Sequence, residues 1–336
     1  MRIKVIWALA PILCLAGAFA LAESWARSNV PRSDRTPYRT SPIEGLPSIL
    51  GPNLDVIWQG SKIHTNSHGF RGPEITDPGP AQQRIALVGD SFVFGSGVEW
   101  EDTLGEQIEV AMEDRGRSVQ VLNFGVPGYN TGHSAVVVET TVLDFDPDVV
   151  IYVAFANDTD PHRSYGEIDP DRIPDPIGQF MLRSAFGQRC LIILRDMAAH
   201  FDVLLSRHSH ENQSRYYQGP AGARVKAGMK RMRELCQAAD VPLMIAIYPF
   251  MVAPDRNPYL IVEQCIARDG FELGLPVVRI DRAFAGADRR KLWAHPIHDS
   301  HPNREANGLA AGFMAGVLDE FLSGLDSQQP SEAKGD

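Results

Sequence analysis

The chain has 336 residues, of which 44% are hydrophobic and 22% charged, and these proportions exclude a disordered or fibrous protein. The net charge is −10 and no run of Lys and Arg stands out, so a nucleic-acid partner lacks its electrostatic footprint. The four cysteines are too few for a disulfide scaffold at this length, and their spacing fits no zinc site. An ordinary globular protein is therefore expected.

The N-terminus has the pattern of an export signal. Arg2 and Lys4 precede an apolar run over residues 5–22, and residues 20–22 form a small-x-small cleavage site. The run is also just long enough to span a bilayer as a helix. Residues 1–22 are thus predicted to be a cleaved signal peptide or a retained membrane anchor. Either places the rest of the chain outside the cytoplasm, in the periplasm or attached to the inner membrane.

From residue 84 onward, apolar strands alternate with helices. Residues 23–62 are predicted to be a linker or N-terminal extension, with a small β element over residues 45–72, and residues 63–325 the main domain. The predicted strands are 84–88, 119–122, 148–156, 242–248 and 276–280, and the predicted helices are 103–115, 134–143, 221–239 and 304–325. This alternation predicts an α/β fold with a mainly parallel sheet.

Two further stretches show no alternation of apolar strands and helices. Residues 157–215 fit no strand–helix unit and are predicted to be an insertion or lid. The polar residues 326–336 are predicted to be a flexible tail.

Ligands in such sheets bind at the carboxyl ends of the strands, so the residues that follow each strand matter most. Ser91 follows the first strand in a Gly-Asp-Ser triplet, where its hydroxyl can face the sheet edge and its amide an oxyanion. The alternative is that Asp90 or Ser91 only caps a helix.

The next two strands are followed by two further candidates. Gly128 lies in a turn after the second strand and is able to offer a second amide to the same oxyanion; a plain Pro-Gly turn is the alternative. Asn157 follows the third strand and can donate its side-chain amide; a helix N-cap is its alternative.

His301, just before the last helix, is a candidate general base for Ser91. Asp299 is a candidate to orient its ring, as in a Ser-His-Asp arrangement. His295, His298 and His301 together also suggest a metal site, but no carboxylate or cysteine pattern supports one.

Taken together, Ser91, Gly128, Asn157 and His301 resemble the SGNH or GDSL hydrolase superfamily, which is named for these four residue types. The blocks stand in order as GDS, NFGVPGYNT, FANDTD and HDSHPN, and residues 65–74 resemble the lead-in of exported bacterial members. The resemblance covers residues 63–322.

This resemblance implies a flavodoxin-like three-layer α/β/α sandwich without a metal or organic cofactor. It also implies hydrolysis or transfer of an O-acyl group through an acyl-serine intermediate. The expected substrate is a small ester or an acylated carbohydrate, and the expected enzyme is an exported serine esterase or deacetylase. Alternatives are a polysaccharide O-acetyltransferase and a non-catalytic glycan-binding protein on the same fold.

One departure from the family pattern leaves the third catalytic residue open. Many members place the carboxylate three residues before the histidine, and that position here is His298. Asp299 is two residues before His301, a spacing that occurs in some bacterial members. Either Asp299 orients His301, or His298 has displaced the carboxylate, or Ser91 and His301 act as a dyad.

Overall fold

The computed structural model describes most of the chain in two units, residues 1–32 with 167–205 and residues 33–166 with 206–336. The described residues are 14, 17–25, 36–79, 82–159, 184, 186–187, 190, 217–252, 257, 259–295 and 299–328. In the smaller unit, residues 17–25 are helical and Glu23 accepts a hydrogen bond from the Phe186 amide (2.9 Å). Most of the predicted signal or anchor, insertion and tail lies outside the described residues.

The larger unit is built on a five-stranded parallel sheet. Its strands are β5 (Gln83–Gly89), β6 (Val119–Gly125), β7 (Val149–Ala154), β8 (Leu243–Ile247) and β9 (Val277–Arg279). The order across the sheet is β6-β5-β7-β8-β9, with every neighbouring pair parallel. This is the doubly wound order of flavodoxin-like folds, whose ligand crevice lies between the first and third strands. Here those strands are β5 and β7.

Helices cover both faces of the sheet, because alternate residues of each buried strand point to opposite sides. The helices are α1 (Ser91–Phe94), α2 (Leu104–Glu113), α3 (Thr131–Thr140), α4 (Pro220–Ala238), α5 (Leu260–Glu272) and α6 (Arg304–Gln328). Ile85 and Leu87 of β5 pack toward α2 and α6. Ala86 and Val88 pack toward α3, α4 and α5. The predicted three-layer α/β/α sandwich is confirmed.

The small β element predicted over residues 45–72 begins earlier, within the predicted linker, and consists of two antiparallel pairs. They are formed by β1 (Tyr38–Thr40) with β2 (Ser48–Leu50), and by β3 (Asp55–Trp58) with β4 (Ser61–His64). Gln59 and Gly60, both with positive φ, make the tight connection between β3 and β4.

Three predicted elements differ from the structure for local reasons. The helix predicted over 134–143 begins earlier, at Thr131, because the Asn130 side chain caps it by accepting from the His133 amide (3.1 Å). The strand predicted to end at Ala156 ends at Ala154, since residues 156–159 form a 3₁₀ turn. Helix α5 was not predicted, because its opening Leu-Ile-Val run has the composition of a strand.

Among the described residues, one helix is apolar and long enough to cross a membrane by length and composition, namely residues 304–327 of α6. Ala310, Met314 and Leu318 on this helix are buried in the core between α6 and the sheet. This helix therefore packs as a core helix.

Candidate active site

Ser91 lies where β5 turns into the short helix α1. Asp90 is the N-cap of α1, and its Oδ1 accepts a hydrogen bond from the Phe92 amide (2.9 Å). Ser91 is the first helical residue and is 7% exposed. Its backbone amide lies in the first turn of α1, where N–H groups have no acceptor within the helix. The predicted place of Ser91 at the carboxyl end of the first strand agrees with the structure.

The end of β6 packs directly against α1. The Asn123 side-chain amide donates to the Val93 carbonyl (2.7 Å). A Cβ on Gly125 would lie 2.2 Å from the Phe94 nitrogen, so only glycine permits this approach. The backbone behind Ser91 is therefore fixed by a side chain and by close packing from the neighbouring strand.

His301 is brought to Ser91 from the other end of the chain. It lies in β11 (Asp299–Pro302), which pairs with β10 (Trp293–His295). Its Nε2 lies 2.8 Å from the Ser91 Oγ, a hydrogen-bond distance. The Phe92 ring packs beside the imidazole with centroids 5.3 Å apart. The predicted nucleophile and the predicted base are thus in contact, which is the geometry that activates a serine hydroxyl.

The role of Asp299 stays a prediction, because its side chain and all of His298 lie outside the described residues. Asp299 itself is in β11, two residues before His301. Residues two apart in a regular extended strand share a face. The ladder is not regular, however, because β11 has one extra residue opposite β10.

Gly128 lies in a turn that is tied to the end of β5. The Tyr129 amide donates to the Val126 carbonyl (3.1 Å) across Pro127 and Gly128, and Gly128 has φ +86°. Proline followed by a positive-φ glycine is what a type II turn requires. The Val126 amide in turn donates to the Gly89 carbonyl (3.1 Å), which places this turn beside the residues that lead into Ser91.

Asn157 reaches the same place from the end of β7, but its side chain has a partner that the sequence did not predict. Its Nδ2 donates to Asp90 Oδ2 (2.8 Å). An amide nitrogen carries two hydrogens, so this bond leaves one for an oxyanion. Its Oδ1 is buried and accepts no hydrogen bond from the described residues. Asp90 therefore fixes both the start of α1 and the orientation of Asn157.

A second buried carboxyl directly follows Asn157 in the chain. Asp158 is 6% exposed and accepts from the Phe155 amide (2.8 Å). Burial, with the negative charge of Asp90 second, raises the pKa of Asp158 to about 8. Burial also raises the pKa of Asp90, although the hydrogen bonds from Phe92 and Asn157 oppose this. Asp158 is therefore mostly protonated at neutral pH.

Sequence reasoning missed Asn123 and Asp158, which support the site. Both lie inside quoted blocks, Asn123 in NFGVPGYNT and Asp158 in FANDTD, but neither was assigned a role. Their signal is a polar residue in or just after an otherwise apolar buried strand. Within the described ranges, no group of three or more His, Cys, Asp or Glu side chains is placed to hold a metal ion.

Comparison with known proteins identifies related sequences and structures. The model of the GDSL-like lipase/acylhydrolase family matches residues 87–309, more than half of the chain. No curated protein matches. Solved structures similar to the chain include the psychrotrophic esterase EstA of Pseudoalteromonas sp., with 13% identity over 72% of this chain and 100% of that chain and a TM-score of 0.44. A lipase/acylhydrolase of Enterococcus faecalis has 16% identity over 71% and 97%, with a TM-score of 0.44.

The pKa of Asp158 predicts how stability depends on pH. A carboxyl whose pKa is raised on folding stabilises the protein below its unfolded pKa, and this contribution is lost as pH rises toward about 8. Asp158→Asn cannot ionise and escapes this loss. In urea unfolding between pH 5 and 8, its free energy of unfolding relative to wild type should rise by about 1 kcal/mol per pH unit. Asp77→Asn, which removes an exposed carboxylate, is the control, and a constant difference for Asp158→Asn would contradict the assignment.

Proposed function

Because the chain belongs to the GDSL-like lipase/acylhydrolase family and is a carboxylic ester hydrolase, we propose that it cleaves O-acyl esters through an acyl-serine intermediate on Ser91. The observation that carries this proposal is the 2.8 Å hydrogen bond between Ser91 Oγ and His301 Nε2. It joins a hydroxyl at the carboxyl end of β5 to a base supplied by β11. No other pair in the proposed mechanism has to meet over so long a stretch of chain.

In the proposed reaction, His301 accepts the Ser91 proton while Oγ attacks the ester carbonyl carbon. The tetrahedral intermediate collapses as His301 returns that proton to the leaving alcohol, which leaves an acyl group on Ser91. A water molecule then attacks the acyl carbon, again with His301 as the base, and its collapse restores the serine hydroxyl. The products are a carboxylic acid and an alcohol.

The negative oxygen of the tetrahedral intermediate needs donors at the same edge. We propose the amides of Ser91 and Gly128 and the second Nδ2 hydrogen of Asn157 for this role. Two observations support it: the bond from Asn157 to Asp90 fixes the amide plane, and the Val126–Gly89 bond fixes the turn that contains Gly128. Such donors are effective because their positions are set before the charge develops.

Aromatic packing beside His301 supports a short acyl group. Phe92 and Phe155 stack with centroids 4.0 Å apart, and Tyr248 packs on Phe92 at 5.0 Å. These rings are at most 9% exposed, so they already fill the space on their side of the imidazole. An acetyl group fits such a site more easily than a long chain, which would have to displace packed rings.

A cavity at the same edge offers a binding place for the alcohol part of the ester, with a mainly apolar surface and several polar side chains. It measures about 570 Å³. Its polar lining residues are Asn130, Thr131, His133, Asp158, Arg224 and Arg231. Asn130 and Thr131 follow the Gly128 turn, and Asp158 follows Asn157, so the cavity adjoins the segments that hold the proposed oxyanion donors. Its polar side chains can bind sugar hydroxyls and its apolar surface can pack against a sugar ring, which supports a carbohydrate as the alcohol.

The decisive experiment labels the nucleophile and compares substrates. A fluorophosphonate probe should modify Ser91 alone, and Ser91→Ala should abolish both labelling and the hydrolysis of p-nitrophenyl acetate. Ser118→Ala, which removes an exposed serine hydroxyl, is the control and should keep both labelling and turnover. Labelling that persists at an unchanged rate in Ser91→Ala contradicts the proposal.

The same protein decides between hydrolysis and acyl transfer. With acetylated polysaccharide and p-nitrophenyl esters of increasing chain length, we expect release of free acetate and a preference for the shortest ester. Polysaccharide O-acetyl transfer, the second candidate, is favoured by the cavity of about 570 Å³, whose polar side chains can hold a sugar acceptor. Acetate found on an added sugar acceptor instead of in solution would establish transfer.

Substitution distinguishes the three arrangements for the third residue. If Asp299 orients His301, Asp299→Ala should lower kcat about 10²- to 10⁴-fold, because the ring loses its fixed tautomer and the imidazolium its counter-charge. His298→Ala should cost less than about 10-fold, since a neighbouring imidazole supplies no negative charge. Steady-state kinetics on one ester measures both. A crippled His298→Ala with a mild Asp299→Ala would reverse the assignment, and two mild variants would indicate a Ser91–His301 dyad.

We also propose that the protein is exported, because Arg2 and Lys4 precede the apolar run over residues 5–22. Expressed as the full chain in a Gram-negative host, it should be found in the periplasmic or membrane fraction. The mass of the purified protein then reports whether cleavage follows residue 22. Recovery of the whole uncleaved chain in the cytoplasmic fraction would contradict export.

A further inference from the structure

Arg71 is a buried cation whose side-chain hydrogen bonds, among the described residues, all go to backbone carbonyls. It is 1% exposed, and both hydrogens of each terminal guanidinium nitrogen have an acceptor. The acceptors are the carbonyl oxygens of Phe94 (3.1 Å), Gly95 (2.6 Å), Lys62 (3.1 Å) and Val98 (2.7 Å). Burial lowers the pKa of Arg71 to about 10, so the guanidinium keeps its charge at neutral pH. Such hydrogen bonds are stronger than neutral ones.

The loop that presents Arg71 is itself held rigidly. Asn66 Oδ1 accepts from the amides of His68 (3.0 Å) and Phe70 (3.1 Å), and Thr65 pairs with Arg71 in an antiparallel bridge. Gly69 has φ +80°, and a Cβ there would lie 2.7 Å from a backbone oxygen of β2. The guanidinium therefore projects from a fixed turn and not from a free loop.

Two of the carbonyls that Arg71 binds belong to the end of the helix that begins with Ser91. Phe94 is the last residue of α1, and Gly95 is its left-handed C-cap. The amides of Gly95 and Ser96 both donate to the Ser91 carbonyl at 3.0 Å. A continuous chain of hydrogen bonds thus runs from the guanidinium through residues 94–96 to the backbone of Ser91.

We propose that Arg71 is a positioning residue for catalysis, which sets the place of Ser91 by clamping the C-terminal end of α1. The inference rests on the proposed function, in which Ser91 is the nucleophile. Arg71 lies before residue 87, where the family match begins, so the clamp comes from the N-terminal β element and not from the matched region. That element is thereby part of the catalytic machinery instead of a passive linker.

A purely structural arginine is available for comparison in the same strand–helix unit. Arg84 is also buried, at 5% exposed, and also binds backbone carbonyls, those of Thr76 (2.6 Å) and Phe145 (2.5 Å). It lies near the start of β5, whereas Ser91 follows the end of that strand. Both arginines are buried and both donate to backbone carbonyls, but only Arg71 binds carbonyls at the end of α1.

The test compares Arg71→Lys with Arg84→Lys in the full-length protein, with p-nitrophenyl acetate turnover, fluorophosphonate labelling of Ser91 and thermal unfolding as readouts. Lysine keeps the charge but cannot bind four carbonyls at once. Arg71→Lys should lower kcat and the labelling rate about 10- to 100-fold with KM nearly unchanged, because a misplaced nucleophile slows chemistry more than binding. Arg84→Lys should lower Tm while kcat stays within about 2-fold of wild type.

A chemical rescue separates positioning from folding. Guanidinium chloride at a non-denaturing concentration should partly restore labelling in Arg71→Ala and should leave Arg84→Ala unaffected. If Arg71→Lys does not fold, Asn66→Ser decides, since it loosens the loop but keeps the guanidinium, and its kcat should fall. A folded Arg71→Lys with wild-type kcat, or equal losses in both lysine variants, overturns the inference. Absence of labelling in the wild-type protein would instead refute the proposed function.

Discussion

The site depends on one constraint, that a helix of four residues cannot satisfy its own backbone. A helix leaves its first N–H groups and its last carbonyls without partners. Because α1 has only four residues, the same residues carry both kinds of unpaired group. Side chains outside the helix therefore have to satisfy the backbone groups that α1 leaves open. Asp90 caps its start, the Asn123 amide binds the Val93 carbonyl, and Arg71 binds its last carbonyls. The nucleophile of the proposed reaction is the first residue of this helix.

The two buried charges at α1 match the polarity of its ends. An anion is favoured at a helix N-terminus and a cation at the C-terminus, and here Asp90 and Arg71 occupy those places. Burying either charge is costly, and the cost is offset only by several hydrogen bonds to each group. Because each bond also fixes a backbone atom, the same interactions that make burial tolerable make the helix rigid. That rigidity is what a serine needs to meet His301 at 2.8 Å.

The sequence predicted the sheet and the chain order of the site residues. It did not predict the side chains that hold those residues in place. Strands buried on both faces are continuous apolar runs, so residues 84–88 were identifiable, and the carboxyl-edge rule then located Ser91 and Asn157. Helix α5 was not predicted, because its first turn has the composition of a strand and tertiary packing outweighs that preference. The roles of Arg71 and Asn123 could not be derived, since an arginine that binds carbonyls far along the chain leaves no local pattern. The bond from Asn157 to Asp90 was likewise hidden, because either residue alone looks like a cap.

Two buried carboxyls lie at this site, and burial raises the pKa of both. Burial, with the nearby Asp90 second, disfavours ionisation of Asp158, which mostly retains its proton at neutral pH. When it is ionised, Asp90 favours the imidazolium that the proposed attack creates, because its carboxylate lies near His301. The same charge would oppose an oxyanion close by. The Asn157 side chain can interact with both groups, because one of its amide hydrogens binds Asp90 and the other is left for the proposed oxyanion. A residue with a single donor could not serve both, which is a physical reason for a carboxamide at this position.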